Sequence, residues 1–308
     1  MAAAPPLSIE WPNFVVHPVS DVKYFTAPSL AQTFGTLVRI ALVLLFACCP
    51  WVVADDAKNS TDEGLALARA IYDRADGKDV TSRVIMLLEK EGQEPKTRLL
   101  YVYAKQVGPK ERWSLMRFIK PEDVDKTGLL TKDYAGDNSD QWLYLPALKR
   151  VRRIASSRNG GRFVGSDFFY EDLKDREPDM DHHRIIGTDK VGGVPCTLLE
   201  STPADKKNSV YGKRLSCIHN GLKLPLRVDF FSPGSNEPYK RLQASKIKKI
   251  QGYWTIFESK MENLESGHTT RLVTTDIVYD QNIPEELFSQ RGLSDDSREL
   301  AFRPKQQD

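Results

Sequence analysis

The stretch DQWLYLPALKRVRRIASSRNGGRFVGSDFFYEDL, residues 140–173, holds two strand-like runs, a tight turn, a basic strip and an acidic-aromatic strip without interruption. From Gln141 to Leu145 the side chains alternate, Trp142 and Tyr144 on one side and Leu143 and Leu145 on the other, as a strand requires. Pro146 ends that run. Lys149 to Ala155 resumes an extended pattern, with Arg150, Arg152 and Ile154 on one face and Lys149, Val151, Arg153 and Ala155 on the other. Arginine thus stands on both faces of one short strand.

Working outward, strand-like runs separated by turn residues fill most of the chain, the signature of an antiparallel all-β architecture. Before the quoted stretch they are Val80–Lys90, Thr97–Val107, Arg112–Ile119 and Gly128–Tyr134. After it come His183–Lys190, Val194–Ser201, Tyr211–His219, Pro225–Phe231, Tyr239–Ile250, Tyr253–Asn263 and Thr269–Tyr279. Asn220-Gly221 and Gln251-Gly252 fall between such runs and predict hairpin turns, hence a meander. Several strands are apolar on both faces, so both faces must be covered by core or by ligand. An amphipathic helix is expected from Thr61 to Arg74, with Ser60 and Glu63 as a capping box and Leu65, Ala68, Ile71 and Tyr72 on one face. Phe163–Asp181 reads as a loop with a helical turn near Phe169–Lys174, and Pro284–Phe288 as a single helical turn.

QWLYLPALKRVRRI, then GSDFFYEDL, then QGYWTIFESKMENLESGHTTRLVTTDIVYD resembles the outer-membrane lipoprotein-sorting family, the LolA-like proteins of Gram-negative bacteria, over roughly Asp62 to Pro304. The resemblance implies a mainly β fold: a curved antiparallel half-barrel of about ten or eleven strands, a capping helix and a short helical lid. It further implies a periplasmic carrier that shelters an acyl chain, a lipoprotein or another lipid in an apolar cavity. An RND-type exporter or other inner-membrane donor and an outer-membrane acceptor are the implied partners. The basic strip and the acidic loop exceed the minimal carrier pattern. A lipid-responsive sensor or interaction module that binds a membrane partner without moving cargo is the alternative.

The chain has 308 residues, 40% apolar and 28% charged, which is ordinary for a globular protein. Ile40–Ala47, preceded by Arg39 and followed by Val52-Val53-Ala54, reads as the apolar core and cleavage site of a secretory signal peptide. Residues 1–54 are then a signal peptide behind an over-long start, and residues 55–308 one lipid-binding domain. Leu45-Phe46-Ala47-Cys48 resembles a lipobox, with bulky Phe46 against it, so cleavage after Ala54 is preferred. Removing Lys23, Arg39, Glu10 and Asp21 leaves the net charge at +2, too balanced for a nucleic-acid partner.

Cys196 and Cys217 form an even pair in a chain read as exported, and an oxidising compartment favours their bridging; two buried free thiols are the alternative. No catalytic signature is found, since Gly165-Ser166-Asp167 lacks the GxSxG elbow and Gly160-Gly161 opens no phosphate-binding pattern. Neither an enzyme nor a cofactor is expected. Asp179, Asp181, His182 and His183 invite zinc, but adjacent histidines on a strand point to opposite faces, and no metal is expected. The cavity candidates are strand residues: Leu99, Tyr101, Tyr103, Trp113, Leu115, Trp142, Tyr144, Leu226, Val228, Phe230 and Trp254. Parity gives them a face, not an inside. Arg150, Arg152, Arg153, Arg158 and Arg162 are candidates for contact with a lipid headgroup or a partner, because the planar guanidinium binds phosphate and carboxylate bidentately.

Overall fold

The computed structural model describes residues 52–136 and 138–304. Helix α1 (Val52–Tyr72) precedes β1 (Asp79–Glu89), β2 (Lys96–Gly108), β3 (Glu111–Lys120), β4 (Gly128–Tyr134), β5 (Asn138–Leu145) and β6 (Arg150–Arg153). The second half comprises β7 (Asp181–Val191), β8 (Val194–Pro203), β9 (Lys213–His219), β10 (Pro225–Phe231), β11 (Pro238–Ile250), β12 (Tyr253–Asn263), β13 (Thr269–Tyr279) and the short α2 (Gln290–Ser294). The thirteen strands form one sheet in the order β6-β5-β4-β3-β2-β1-β13-β12-β11-β10-β9-β8-β7. Every neighbouring pair is antiparallel. Two meanders are joined where β1 pairs with β13, and the sheet stays open between β6 and β7.

The expected total of ten or eleven strands is too low. Each run read from the sequence forms its own strand, because a turn with its own backbone hydrogen bonds separates even β5 from β6, where Lys149 N donates to Pro146 O at 3.0 Å. The hairpin at Gln251-Gly252 has φ of 48° and 96°, the positive pair that a two-residue turn needs to match the strand twist.

Helix α1 begins at Val52, not Thr61, so Ser60 lies inside it and is no N-cap, and the helix runs through the expected cleavage site Val52-Val53-Ala54. The apolar run Ile40–Ala47 and Cys48 lie outside the described residues. No helix among the described residues is long and apolar enough to cross a membrane. Gly64 brings α1 close to β7: a Cβ there would sit 2.8 Å from the backbone of His183 and Arg184.

A segment of chain lies over part of each face of the sheet. Residues 154–180, between β6 and β7, cross the inner face as a strap with short 3₁₀ turns, one at Glu171–Leu173 inside the expected Phe169–Lys174 turn. Phe163 and Tyr170 of the strap pack with Val84, Met86, Leu100, Phe118 and Leu129, while Phe168 packs with Tyr211, Val228, Phe230 and Met261. Strands lie about 4.8 Å apart, so β3 and β10, six steps apart in the sheet, would be ~29 Å apart if it were flat. Phe163 and Phe168 are separated by at most ~17 Å of chain, so the sheet curls around the strap into a half-barrel.

The outer face of β2–β6 is covered by residues 283–302. Ile283, Leu287, Phe288 and Leu293 bury Tyr101, Tyr103, Leu115 and Leu130. A fully buried ion pair ties this cover down: Arg117 Nε lies 3.3 Å from Glu299 Oε2, and its other nitrogens donate to Lys126 O at 2.9 Å and Gly292 O at 3.2 Å. Arg303 holds the second Glu299 oxygen at 3.0 Å. Cys196 and Cys217 are joined in a disulfide with Cα atoms 5.3 Å apart. Bridging residues 21 apart in sequence stabilises by about 3 kcal/mol in the chain-entropy account.

Arg117→Met should cost about 3–5 kcal/mol in urea unfolding, because it strands the Glu299 charge in the core. Arg117→Met combined with Glu299→Leu should recover most of that loss, since the uncompensated charge is then gone.

Candidate functional site

Between α1 and the inner face of β8–β10 the strap leaves a cavity of about 900 Å³, within the range of small-molecule sites. Ala68 and Ile71 of α1 face Leu199 on β8, Ile218 on β9 and Val228 on β10 across it. The apolar side exists because α1 and β7–β9 bury matching stripes: Ala68, Leu199 and Ile218 form one cluster with Leu67, Ile71 and Ile185 beside it. Ser201 and Ser216 face the same space, and small side chains in the middle of two strands leave it open.

The rim is charged and internally paired. Arg176 grips Asp181 with two nitrogens, at 2.8 and 2.9 Å. Arg214 lies 3.5 Å from Glu171 and 3.7 Å from Asp181, and Arg112 lies 2.8 Å from Asp76. Burial raises the Asp175 carboxyl above the usual range despite the Arg112 charge nearby. His183 is also buried, which lowers its pKa and keeps the ring neutral. Its Nε2 therefore donates to Pro178 O at 2.8 Å, and its Nδ1 accepts from the Ser201 hydroxyl at 2.9 Å. That pair fastens the end of the strap to β8. His182, on the opposite side of the strand, is exposed. Among the described residues no three His, Cys, Asp or Glu side chains are grouped to hold a metal ion.

The strap that walls the cavity is held by buried polar contacts. Lys240 Nζ meets Asp172 at 2.7 Å and the Tyr211 hydroxyl, under the Phe169 ring at 3.8 Å from its centroid. Burial lowers the Lys240 pKa, with Asp172 opposing. Asp167 accepts from Thr270 Oγ1 at 2.8 Å and pairs with Arg162 at 2.9 Å, with His268 Nδ1 at 2.5 Å. Glu171 accepts from Val210 N at 2.7 Å, and Gln141 Nε2 donates to Tyr170 O at 2.9 Å.

Of the cavity candidates read from the sequence, Val228 alone lines this space. Tyr101, Tyr103, Trp113, Leu115, Trp142 and Tyr144 lie on the outer face under residues 283–302. The reason is the cover: those side chains share one face, and the C-terminal segment takes that face. Phe230 packs against the strap, Leu226 and Trp254 belong to the cluster around the disulfide, and Leu99 is partly exposed. The basic candidates are split. Arg162 is spent on Asp167 and Arg153 pairs with Asp140, whereas Arg150, Arg152 and Arg158 are exposed with no carboxylate in ion-pair range among the described residues. Sequence reading missed Ile71, Leu199, Ser216 and Ile218 as a set. The small serines opposite apolar residues on neighbouring strands were the signal available.

An open half-barrel with an interior cavity beside its helix defines the class of protein. Residues 110–295 match a family model described only as an uncharacterized protein. The chain is 32% identical to an outer membrane lipoprotein-sorting protein domain from Vibrio parahaemolyticus, covering 76% of this chain and 100% of that one, with a TM-score of 0.72. It is 29% identical to a DUF1329 family protein from Desulfovibrio piger, covering 76% and 99%, again with a TM-score of 0.72. A LolA superfamily protein from Nitrosomonas europaea shares the fold at 18% identity and a TM-score of 0.58, over 76% of this chain and 99% of that one. No curated protein matches. The chain belongs to the same family as the outer membrane lipoprotein-sorting protein domain of Vibrio parahaemolyticus.

Asp133, beside Asp175 at the edge of this region, supplies a pH test. Burial pushes its carboxyl from 3.8 up to about 6, although Ser139 and Asp175 N donate to it. The folded state thus holds the proton more tightly than the unfolded one. This contribution to stability is complete below pH 3.8 and is lost as pH rises through about 6. The linkage amounts to roughly 3 kcal/mol. Asp133→Asn should remove that component, so urea unfolding across this window should fall less steeply with pH in the variant than in the parent protein.

Proposed function

We propose that this protein is a periplasmic carrier that binds an acyl chain or other lipid moiety in the cavity between α1 and β8–β10 and passes it between membranes or to an exporter. The single observation that supports the reading is the cavity of about 900 Å³, apolar along Ile71, Leu199, Ile218 and Val228 and ringed by paired charges. Burying about ten methylenes gains ~8 kcal/mol. Lost translational and rotational freedom takes back at least ~4 kcal/mol of it. Affinity that modest lets cargo leave for a better site, which is what a carrier needs. The paired rim favours a chain entering tail first, with its headgroup left in water near Arg74 and Arg112. No covalent chemistry is required. Export through a cleaved signal peptide, with Asp55 at the mature end, is part of the same reading.

A second reading has its own support. The strap already occupies the inner face with Phe163, Phe168 and Tyr170, so ligand in the remaining space could instead report to a protein partner, as a lipid-responsive sensor.

Native mass spectrometry with lipid extraction, on protein recovered from a Gram-negative periplasm, separates the two from an empty module. A carrier should yield a defined lipid adduct and release it to acceptor vesicles. A sensor should keep the lipid and change its affinity for a partner. Ser216→Trp, which fills the cavity without replacing an apolar contact, should lower recovered lipid about tenfold while leaving the thermal midpoint nearly unchanged. Equal recovery from the variant would remove the cavity from the account.

A further inference from the structure

The sheet has one open edge whose main chain and charges both point to an occupant. Among the described residues β6 pairs only with β5, through Trp142 opposite Arg153, Leu143 opposite Arg152, Tyr144 opposite Val151 and Leu145 opposite Arg150. One step beyond this ladder, Ile154 N donates to Gln141 O at 2.8 Å. Hydrogen-bonded and non-bonded pairs alternate in an antiparallel ladder. Ile154, Arg152 and Arg150 therefore turn their main-chain groups toward β5, and Val151 and Arg153 turn theirs outward. Among the described residues no strand meets them. The Val151 side chain is anchored in the outer core beneath α2, so this edge is held in place.

The charges match the edge. Arg150 and Arg152 are exposed on one face of β6 and Arg153 on the other, and among the described residues the single acid in ion-pair range of these three is Asp140, on Arg153. Lys149 is also exposed and has a left-handed backbone, φ 47°, at the turn into the strand. A bilayer would engage cations presented on one face. Cations on both faces of a strand flank a chain lying in the plane of the sheet.

We propose that the β6 edge is a docking site for an extended acidic segment of a partner protein. The segment would add as a strand, its main chain bonding to the N–H and C=O of Val151 and Arg153 and its carboxylates meeting Arg150, Arg152 and Arg153. The site is on the far side of the sheet opening from the cavity and does not depend on what the cavity holds.

The test uses the full chain and a fluorescein-labelled synthetic peptide alternating glutamate and valine, read by anisotropy. Its controls are the same peptide N-methylated on alternate residues and vesicles of phosphatidylglycerol. Val151→Pro removes an outward N–H that makes no bond to β5, a substitution edge strands tolerate, and Val151→Thr keeps the N–H and the branched shape. Saturable binding should weaken about tenfold or more with the N-methylated peptide and with Val151→Pro. It should be kept with Val151→Thr and lost with Arg150→Glu plus Arg152→Glu. Should Val151→Pro fail to fold, the comparison of the two peptides on the unaltered protein decides alone. Equal binding of both peptides means diffuse attraction to charge and overturns the proposal, as does vesicle binding without peptide binding, or no binding of either.

Discussion

The contact on which the architecture depends is Lys240 against Asp172 and Tyr211, buried beneath the Phe169 ring. It pins the strap to β11. An ammonium and a carboxylate taken out of water cost several kcal/mol each, and here the cost is offset by mutual attraction, by the Tyr211 hydroxyl 2.6 Å from Asp172 and by the aromatic faces around the nitrogen. With the strap fixed at that point, Phe163 and Phe168 reach opposite halves of the sheet and the thirteen strands have something to curl around.

A sheet apolar on both faces needs two covers. The inner one is the strap, which shares the inner face with α1 and leaves a cavity between α1 and β8–β10. The outer one is residues 283–302, locked by Arg117, Glu299 and Arg303. These covers differ in consequence. The outer cover makes Tyr101, Tyr103 and Leu115 ordinary core. The inner cover is incomplete, and incompleteness beside a helix is what makes a ligand site available. The open β6 edge follows from the same topology, since the free ends of the two meanders flank the opening and no strand among the described residues closes it.

Much of the fold could be read from the chain itself. Alternation located the strands, Gln251-Gly252 located a hairpin, and Cys196 and Cys217 fell on neighbouring strands close enough to join. The family could be read from QWLYLPALKRVRRI, GSDFFYEDL and QGYWTIFESKMENLESGHTTRLVTTDIVYD, the second of which supplies Asp167, Phe168, Phe169, Glu171 and Asp172, the residues that hold the strap. The site was much less legible. Leu199 and Ser216 are cross-strand partners, but nothing in either strand's own sequence announces that α1 stands over them with space between.

Local sequence determined which residues extend, where the chain turns and which side chains share a face, because those follow from steric preference and a period of two along the strand. Only the tertiary structure decided which face became interior. Arg117 is 182 positions from the Glu299 that covers it, and Asp167 is 103 positions from the Thr270 that holds it. Covers brought from so far away turn one face into core and leave the other a cavity, and no local pattern encodes which arrives where.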